Sequence, residues 1–169
     1  MKAGRASLFV LVLLVLSACT ATRITNDMSV SHPRFLVDVT PPGSTNWTWI
    51  ESRTVPCTPD QAFWWSIDVR TPRTNSTWVA IDQYPSSDWQ WTHLTTNLVY
   101  ELSIDRTRLT YPPEPLPRDG VLYRLNFVSK GDPPGDYATI IILDNVPVHI
   151  FHYSLVEEKN ASNRVLVTD

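Results

Sequence analysis

The sequence lacks the motifs that usually reveal an enzyme or a nucleic-acid-binding protein. It contains no Gly-x-Ser-x-Gly elbow, no His-Glu-x-x-His pair and no phosphate-cradling glycine loop. Its arginines are scattered along the chain, and the net charge of −3 gives no reason to expect nucleic acid or an anionic membrane surface as a partner. We therefore expect a protein that is not an enzyme and that holds neither a cofactor nor a metal ion.

Long hydrophobic runs are also absent, apart from one at the N-terminus. Lys2 and Arg5 precede the apolar segment 7–16, which is too short to cross a bilayer as a stable helix. A basic start, a short apolar block and small residues before a cleavage point are typical of a secretory signal peptide, here residues 1–18. No later run reaches spanning length, so we expect no transmembrane helix after the signal peptide.

This segment ends in Leu16-Ser17-Ala18-Cys19, which resembles the lipobox of bacterial lipoproteins. In that family the cysteine becomes the first residue of the mature chain, and its thiol carries a diacylglycerol. Thr20 stands where the family's inner-membrane retention signal usually has Asp, so the resemblance implies an outer-membrane lipoprotein, on either the periplasmic or the surface side. Several acyl chains on one cysteine make such an anchor effectively permanent. The resemblance implies nothing about the domain that follows.

An ordinary signal peptide with an incidental cysteine is the alternative. Three glycosylation sequons, at Asn46, Asn75 and Asn160, favour a glycosylated secreted protein of a eukaryote or its virus. Glycine is scarce, at 5 residues in 169, which favours the same alternative. The state of the cysteines distinguishes the lipoprotein from the secreted glycoprotein. With Cys19 acylated, Cys57 is a lone thiol; with Cys19 unmodified, a disulfide between the two can form.

About 150 residues remain after the signal peptide, enough for one domain with a substantial core. Hydrophobic residues make up 43% of the chain and charged residues 18%, which favours a folded body over a disordered chain. We expect a lipidated cysteine and flexible tether over 19–32, a folded domain over 33–158 and a C-terminal tail over 159–169.

Alternation of apolar and polar residues from Arg34 onward is typical of half-buried strands. The alternating apolar sets are Phe35, Val37 and Val39; Phe63, Trp65, Ile67 and Val69; Leu98, Tyr100, Leu102 and Ile104; and Tyr123, Leu125 and Phe127. The run 140–143 is apolar on both faces and predicts a central strand, and Asp144-Asn145 predicts a hairpin into 148–156, with Pro147 weakening its start. About eight short antiparallel strands separated by turns predict an all-β fold, a single β-sandwich.

One segment points to an immunoglobulin-like topology. Pro134-Gly135-Asp136-Tyr137 precedes the apolar run and resembles the tyrosine corner of immunoglobulin-like sandwiches. The cysteine expected two residues later is replaced by Thr139, so the resemblance is partial.

The chain contains 7 tryptophans, of which Trp65 and Trp78 lie within apolar alternation and are expected in the core. Trp64 falls on the opposite strand face from Trp65 and is a candidate for exposure. Two further pairs, Trp47-x-Trp49 and Trp89-x-Trp91, place both rings on one strand face. One interpretation is a recognition surface, because exposed aromatic rings among polar groups suit binding. The other is that these pairs close the ends of the sandwich as core.

Three other groups of residues suggest chemistry that we do not expect. His149 and His152 are three apart on a strand and point to opposite faces, so they cannot share one metal ion. Glu157 and Glu158 are adjacent on a strand and also point to opposite faces, so they do not form a carboxylate pair. Cys57 has no base near it in sequence to activate it as a nucleophile.

The leading hypothesis is a non-catalytic, lipid-anchored envelope protein that binds a component of secretion, pilus or surface assembly, with strand addition as one mode. The candidate binding surface comprises Trp89, Trp91, Asp88, Gln90, His93, Trp47 and Trp49. A second hypothesis is carbohydrate binding through the Trp pairs, in which Asp88, Gln90 and His93 hydrogen-bond sugar hydroxyls. A third is a secreted glycoprotein that binds host proteins. A fourth is a small hydrolase, which requires a convergent polar triad that the sequence does not reveal.

Overall fold

The computed structural model describes residues 28–41, 43–71, 73–88 and 100–157, and these residues form strands and turns without any helix. The strands are β1 (Ser29–Asp38), β2 (Trp49–Glu51), β3 (Thr54–Pro56), β4 (Ala62–Arg70), β5 (Thr77–Gln83), β6 (Glu101–Leu102), β7 (Arg108–Thr110), β8 (Glu114–Pro115), β9 (Val121–Phe127), β10 (Gly135–Leu143) and β11 (Val146–Val156). The predicted all-β sandwich is confirmed.

Two sheets make up the sandwich. The smaller has the order β2-β1-β4-β9, and all its pairs are antiparallel. The larger has the order β3-β11-β10-β5-β7-β6, with β8 paired to β5. β3 runs parallel to β11, unlike the antiparallel pairing expected throughout. The described residues hold more strands than the eight predicted, because several are only two or three residues long.

The core lies between the sheets and is dominated by aromatic rings. Alternation along β4 buries Phe63, Trp65, Ile67 and Val69, as predicted. The Trp65 ring stacks on Phe151 of the opposite sheet at a centroid distance of 5.4 Å and meets Trp78 edge-on at 6.1 Å. Each such ring buries roughly 150–250 Å² of surface on folding, so these rings are the main contacts that join the two sheets.

The hairpin of β10 and β11 agrees with its sequence signals. Asp144 and Asn145 have φ of 47° and 65°, the left-handed pair that a type I′ two-residue turn needs. β10 pairs with β11 on one side and β5 on the other, which confirms it as a central strand. The pairing register shifts between Ile141 and Ile142, opposite the segment that contains Pro147.

The tyrosine corner is present. The Tyr137 hydroxyl donates a hydrogen bond of 2.7 Å to the carbonyl oxygen of Pro133, four residues upstream, and the Tyr137 ring is buried. Thr139, at the position where a cysteine was expected, is also buried and donates to the Asp82 carboxylate at 2.6 Å. A polar contact therefore lies where immunoglobulin domains of antibodies place a disulfide.

β1 begins at Ser29, and its first three residues, Ser29, Val30 and Ser31, pair with β4. One sequence expectation differs from the structure. The expected strand through Leu98–Ile104 is wrong for its described part, because β6 ends at Leu102 and Ile104 is fully exposed. The reason is a local turn, in which the Asp105 carboxylate accepts hydrogen bonds from the Ser103 hydroxyl and the Thr107 amide.

Candidate functional site

Strand β9 has the predicted alternation, but its apolar side chains face solvent. Tyr123, Leu125 and Phe127 are 69%, 47% and 51% exposed, whereas Leu122 is buried. Arg124, expected on the polar side, points toward the interior instead, where its side chain is mostly buried. The strand therefore presents its large apolar residues outward.

The inward arginine explains this orientation. The Arg124 guanidinium lies 3.7 Å from the centroid of the Tyr111 ring and 5.4 Å from that of Trp78, and it pairs with Glu114 at 3.8 Å. Cation–π contacts of this kind compensate a partly buried guanidinium. Shifting β9 by one residue would remove all of them and bury Tyr123 and Leu125 instead.

A buried carboxylate completes this interior polar cluster. Asp82 accepts hydrogen bonds from the hydroxyls of Tyr111 at 2.7 Å and Thr139 at 2.6 Å. Burial raises the pKa of the Asp82 carboxyl, and the two hydrogen bonds and the Arg124 charge partly oppose that rise. Asp82 and Thr139 are buried, and Arg124 contacts the ring of Trp78 in the core, so we interpret the cluster as structural.

The outer surface of the smaller sheet gathers apolar side chains from three strands and a loop. Cross-strand pairing puts Trp64 of β4 opposite Leu125 of β9, with Trp49 of β2 two strands away. We define the outer aromatic face as Trp47, Trp49, Trp64, Tyr123, Leu125 and Phe127. Its middle is a shallow, largely apolar depression of about 490 Å³.

The rings of this face are ordered by contacts with one another. Trp47 stacks on Trp49 with a centroid distance of 5.5 Å and an interplanar angle of 7°, and Trp49 meets Trp64 edge-on at 6.5 Å. Trp47 remains 59% exposed. Rigid, exposed aromatic side chains lose little conformational entropy on binding, which is why they are common in protein recognition surfaces.

The same face borders an open strand edge. Among the described strands, β9 pairs only with β4, so its other backbone edge is unpaired. β9 is seven residues long and contains no proline. Natural proteins usually block such an edge with proline, charge or a bulge, and an unblocked edge can accept a strand from another chain.

The structure brings together only part of the sequence-predicted surface. Trp47 and Trp49 lie on the outer aromatic face, and Asp88 is exposed elsewhere in the chain. Trp89, Gln90, Trp91 and His93 lie outside the described residues, as do Cys19 and Asn160. Asn46 and Asn75 are both exposed. Sequence reasoning missed Tyr123, Leu125 and Phe127 as surface residues, because alternation alone does not tell which face is buried.

The other residues considered from the sequence have ordinary surroundings. The His149 ring is half-buried, 4.4 Å from the Phe151 centroid, and His152 is exposed, so the two point to opposite faces as predicted. Cys57 is a free thiol that donates to the carbonyl oxygen of Asp132, and burial raises the pKa of this thiol. A protonated thiol is a poor nucleophile.

Neither a metal-binding group nor a membrane-spanning helix is found in the described part of the chain. No group of three His, Cys, Asp or Glu side chains there is arranged to hold a metal ion. Nor do these residues include a helix of the length and apolar character that a membrane crossing requires.

Comparison with one solved structure supports the fold. An immunoglobulin-like protein (PA1606) from Pseudomonas aeruginosa is similar, with 7% sequence identity and a TM-score of 0.51 over 75% of this chain and 96% of that chain. The alkylpurine DNA glycosylase AlkC from Pseudomonas fluorescens, solved bound to DNA containing an abasic site analog, matches at 9% identity and a TM-score of 0.40, over 76% of this chain and 30% of that chain. No match was found among curated proteins.

The family comparison covers most of the sandwich. The model of the PM0630 beta sandwich domain matches residues 35–156, from the middle of β1 to the end of β11. The matched segment contains both sheets, the tyrosine corner and every residue of the outer aromatic face. The chain belongs to the PM0630 beta sandwich domain family.

Proposed function

We propose that this protein is a lipid-anchored β-sandwich of the bacterial outer membrane that binds a protein partner through the outer aromatic face, without catalysis. The observation that carries the proposal is the exposure of Trp47, Tyr123, Leu125 and Phe127 on one sheet face. Soluble domains rarely leave contiguous apolar surface uncovered unless it is used for binding. Aromatic side chains are also the commonest residues that dominate binding energy at interfaces.

The open edge of β9 supports strand addition as the mode of binding. An extended segment of the partner would pair with the β9 backbone, and every second side chain of that segment would lie beside Tyr123, Leu125 or Phe127. The main-chain hydrogen bonds would supply affinity, and the apolar contacts would select a segment with alternating hydrophobic residues. A component of secretion, pilus or surface assembly is the class of partner that fits an envelope location.

The order of the strands supports an outward-facing site. β1 begins at Ser29 and runs to Asp38, which pairs with Trp49. At about 3.3 Å per residue, β1 separates its two ends by roughly 30 Å. A membrane anchor at Cys19 would therefore leave Trp47 and Trp49 at the end of the domain farther from the bilayer, where a partner has access.

Affinity capture from detergent-solubilised envelopes tests the binding role. We expect the full chain to retain a specific partner, Leu125→Glu to lose it, and the control Ile150→Glu to keep it. Ile150 is a suitable control because it is also 44% exposed but lies on β11, in the other sheet. An identical set of retained proteins for all three chains would contradict the proposal.

Mass spectrometry of the mature N-terminus tests the anchor separately. We expect a chain that begins at Cys19 with acyl chains attached, and no membrane association for Cys19→Ala. A chain that begins elsewhere, or glycan mass on Asn46, Asn75 or Asn160, would instead support the secreted glycoprotein.

Glycan binding is a second candidate, favoured by the flat, exposed indole of Trp47 stacked on Trp49. A glycan array distinguishes it from protein binding. Retention of a sugar at millimolar concentration, lost in Trp47→Ala but kept in Phe127→Ala, would favour the carbohydrate role.

A further inference from the structure

Three arginines line a cleft at the end of the sandwich where β1 begins. The cleft has a volume of about 400 Å³ and lies between the end of β4, the start of β5 and the turn before β9. Arg70, Arg73 and Arg118 contribute the positively charged side chains. The turn is held tightly against β4, because Gly120 has a φ of 73° and an added Cβ there would lie 2.4 Å from the Val69 carbonyl oxygen.

The charges in this cleft are only partly neutralised. Arg73 donates to the Asp144 carboxylate at 3.2 Å, and that carboxylate also accepts hydrogen bonds from Ser76 and Thr77. Among the described residues, neither Arg70 nor Arg118 forms an ion pair. Asp119 also lines the cleft. Three guanidinium groups against two carboxylates leave a net charge of +1 in a chain whose overall charge is −3.

Two free guanidinium groups beside a polar cleft are suited to bind phosphate. Their planar N–H donors match the spacing of phosphate oxygens and can form paired hydrogen bonds. The cleft also offers the hydroxyls of Thr71 and Thr74 along its wall.

The position of the cleft indicates where this phosphate comes from. Ser29, the first residue of β1, pairs with Arg70. The chain between Cys19 and Ser29 spans at most about 36 Å when fully extended. With Cys19 held in the bilayer, as in the proposed function on which this step rests, the cleft lies at the end of the domain nearest to the lipid headgroups.

We infer that Arg70, Arg73 and Arg118 form a binding site for the phosphate groups of anionic lipid headgroups. Occupation of this site orients the anchored domain with the cleft toward the membrane and with Trp47 and Trp49 away from it. The site acts at close range, because a charge at the surface is screened beyond roughly 8 Å at physiological ionic strength. The overall negative charge of the chain therefore does not prevent the contact.

Energy transfer on the lipidated full chain in vesicles tests this orientation. A fluorescent unnatural amino acid is placed at Asn75, exposed beside the cleft, or at Ser44, exposed in the loop between β1 and β2 at the opposite end. The acceptor is a headgroup-labelled lipid. In pure phosphatidylcholine the tether alone favours transfer from Asn75 over Ser44, and with phosphatidylglycerol present we expect this difference to become larger.

Charge reversal supplies the matched comparison. Each basic residue near an anionic surface strengthens attraction roughly fivefold. In vesicles that contain phosphatidylglycerol, Arg70→Glu/Arg118→Glu is therefore expected to reduce the ratio of membrane-facing to other orientations by at least about 25-fold and to abolish the phosphatidylglycerol-dependent increase in the difference between labels. Arg108→Glu/Lys130→Glu makes the same change in net charge at exposed positions near the opposite end and is expected to leave the difference intact.

The outcomes separate this inference from the proposed function. The headgroup site is overturned if the protein is anchored but its Asn75 and Ser44 signals do not respond to phosphatidylglycerol, or respond equally in both double variants. The proposed lipid anchor is unaffected by either result. Protein that does not associate with vesicles overturns the anchor and this inference together. Binding of inorganic phosphate that Arg70→Glu/Arg118→Glu abolishes, with no response of either signal to phosphatidylglycerol, would assign the cleft to free phosphate and overturn the headgroup assignment.

Discussion

Truncating Leu122 and Leu125 in turn tests the orientation of β9, on which the outer aromatic face depends. Both are leucines in the same strand, but Leu122 is 1% exposed and Leu125 is 47% exposed. Leu122→Ala removes a side chain from the closed core, so it loses the transfer free energy of the deleted carbons and leaves a cavity, which together cost about 2–5 kcal/mol. The Leu125 side chain is already half-exposed, and its removal in Leu125→Ala leaves no enclosed cavity. We therefore expect a loss of unfolding free energy of about 1 kcal/mol or less.

Urea unfolding followed by tryptophan fluorescence measures both values, because the buried Trp65 and Trp78 change environment on unfolding. The two variants are matched in chemistry and in strand, so their difference reports which face of β9 is buried. A larger loss of stability for Leu125→Ala than for Leu122→Ala would mean that Leu125 faces the core. The reasoning about Arg124 and the outer aromatic face would then be refuted.

Three further predictions concern the interior. Burial raises the pKa of Asp82 above its unfolded value, so the folded protein loses stability as the pH rises from about 4 through the folded pKa. Asp82→Asn lacks this loss. In urea titrations its unfolding free energy should therefore rise relative to that of the parent between pH 4 and pH 7. Parallel pH curves for the two chains would contradict this. Tyr137→Phe removes the hydrogen bond to Pro133 and should cost about 1 kcal/mol, whereas the control Tyr123→Phe on the exposed ring should stay within about 0.5 kcal/mol. The Cys57 thiol, whose pKa burial raises, should react slowly with iodoacetamide at pH 7 and faster in urea, and equal rates in both conditions would show that it is not protected.

The sequence predicted the fold class because its signals for that are local. Alternation identified β4 and its buried face, Asp144-Asn145 identified the hairpin, and Tyr137 identified the corner that its hydroxyl now closes onto Pro133. The sequence placed the Trp47 and Trp49 rings on one strand face, and the rings do share a face, although Trp47 lies in the loop before β2. Their stacked rings agree with that expectation.

The remaining features depend on contacts that are distant in sequence. Period-two alternation does not determine which face of a strand is buried. In β9 the buried face is set by Arg124, whose guanidinium contacts the rings of Tyr111 and Trp78 across the sandwich. The predicted strand through Ile104 was wrong because of a local contact instead: a turn built on Ser103 and Asp105 ends the strand early. The arginine cleft arises from three separate segments that only the fold brings together.

Site-specific photo-crosslinking in intact cells tests most directly whether the outer aromatic face is where a partner binds. p-Benzoylphenylalanine is placed at Phe127, where the ring is half-exposed, and at Ile150 on the other sheet as a control of similar exposure. Binding through this face predicts a discrete crosslinked protein from Phe127 that disappears when Leu125→Glu is added, and none from Ile150. Crosslinks from Ile150 alone, or the same products from both positions, would contradict it.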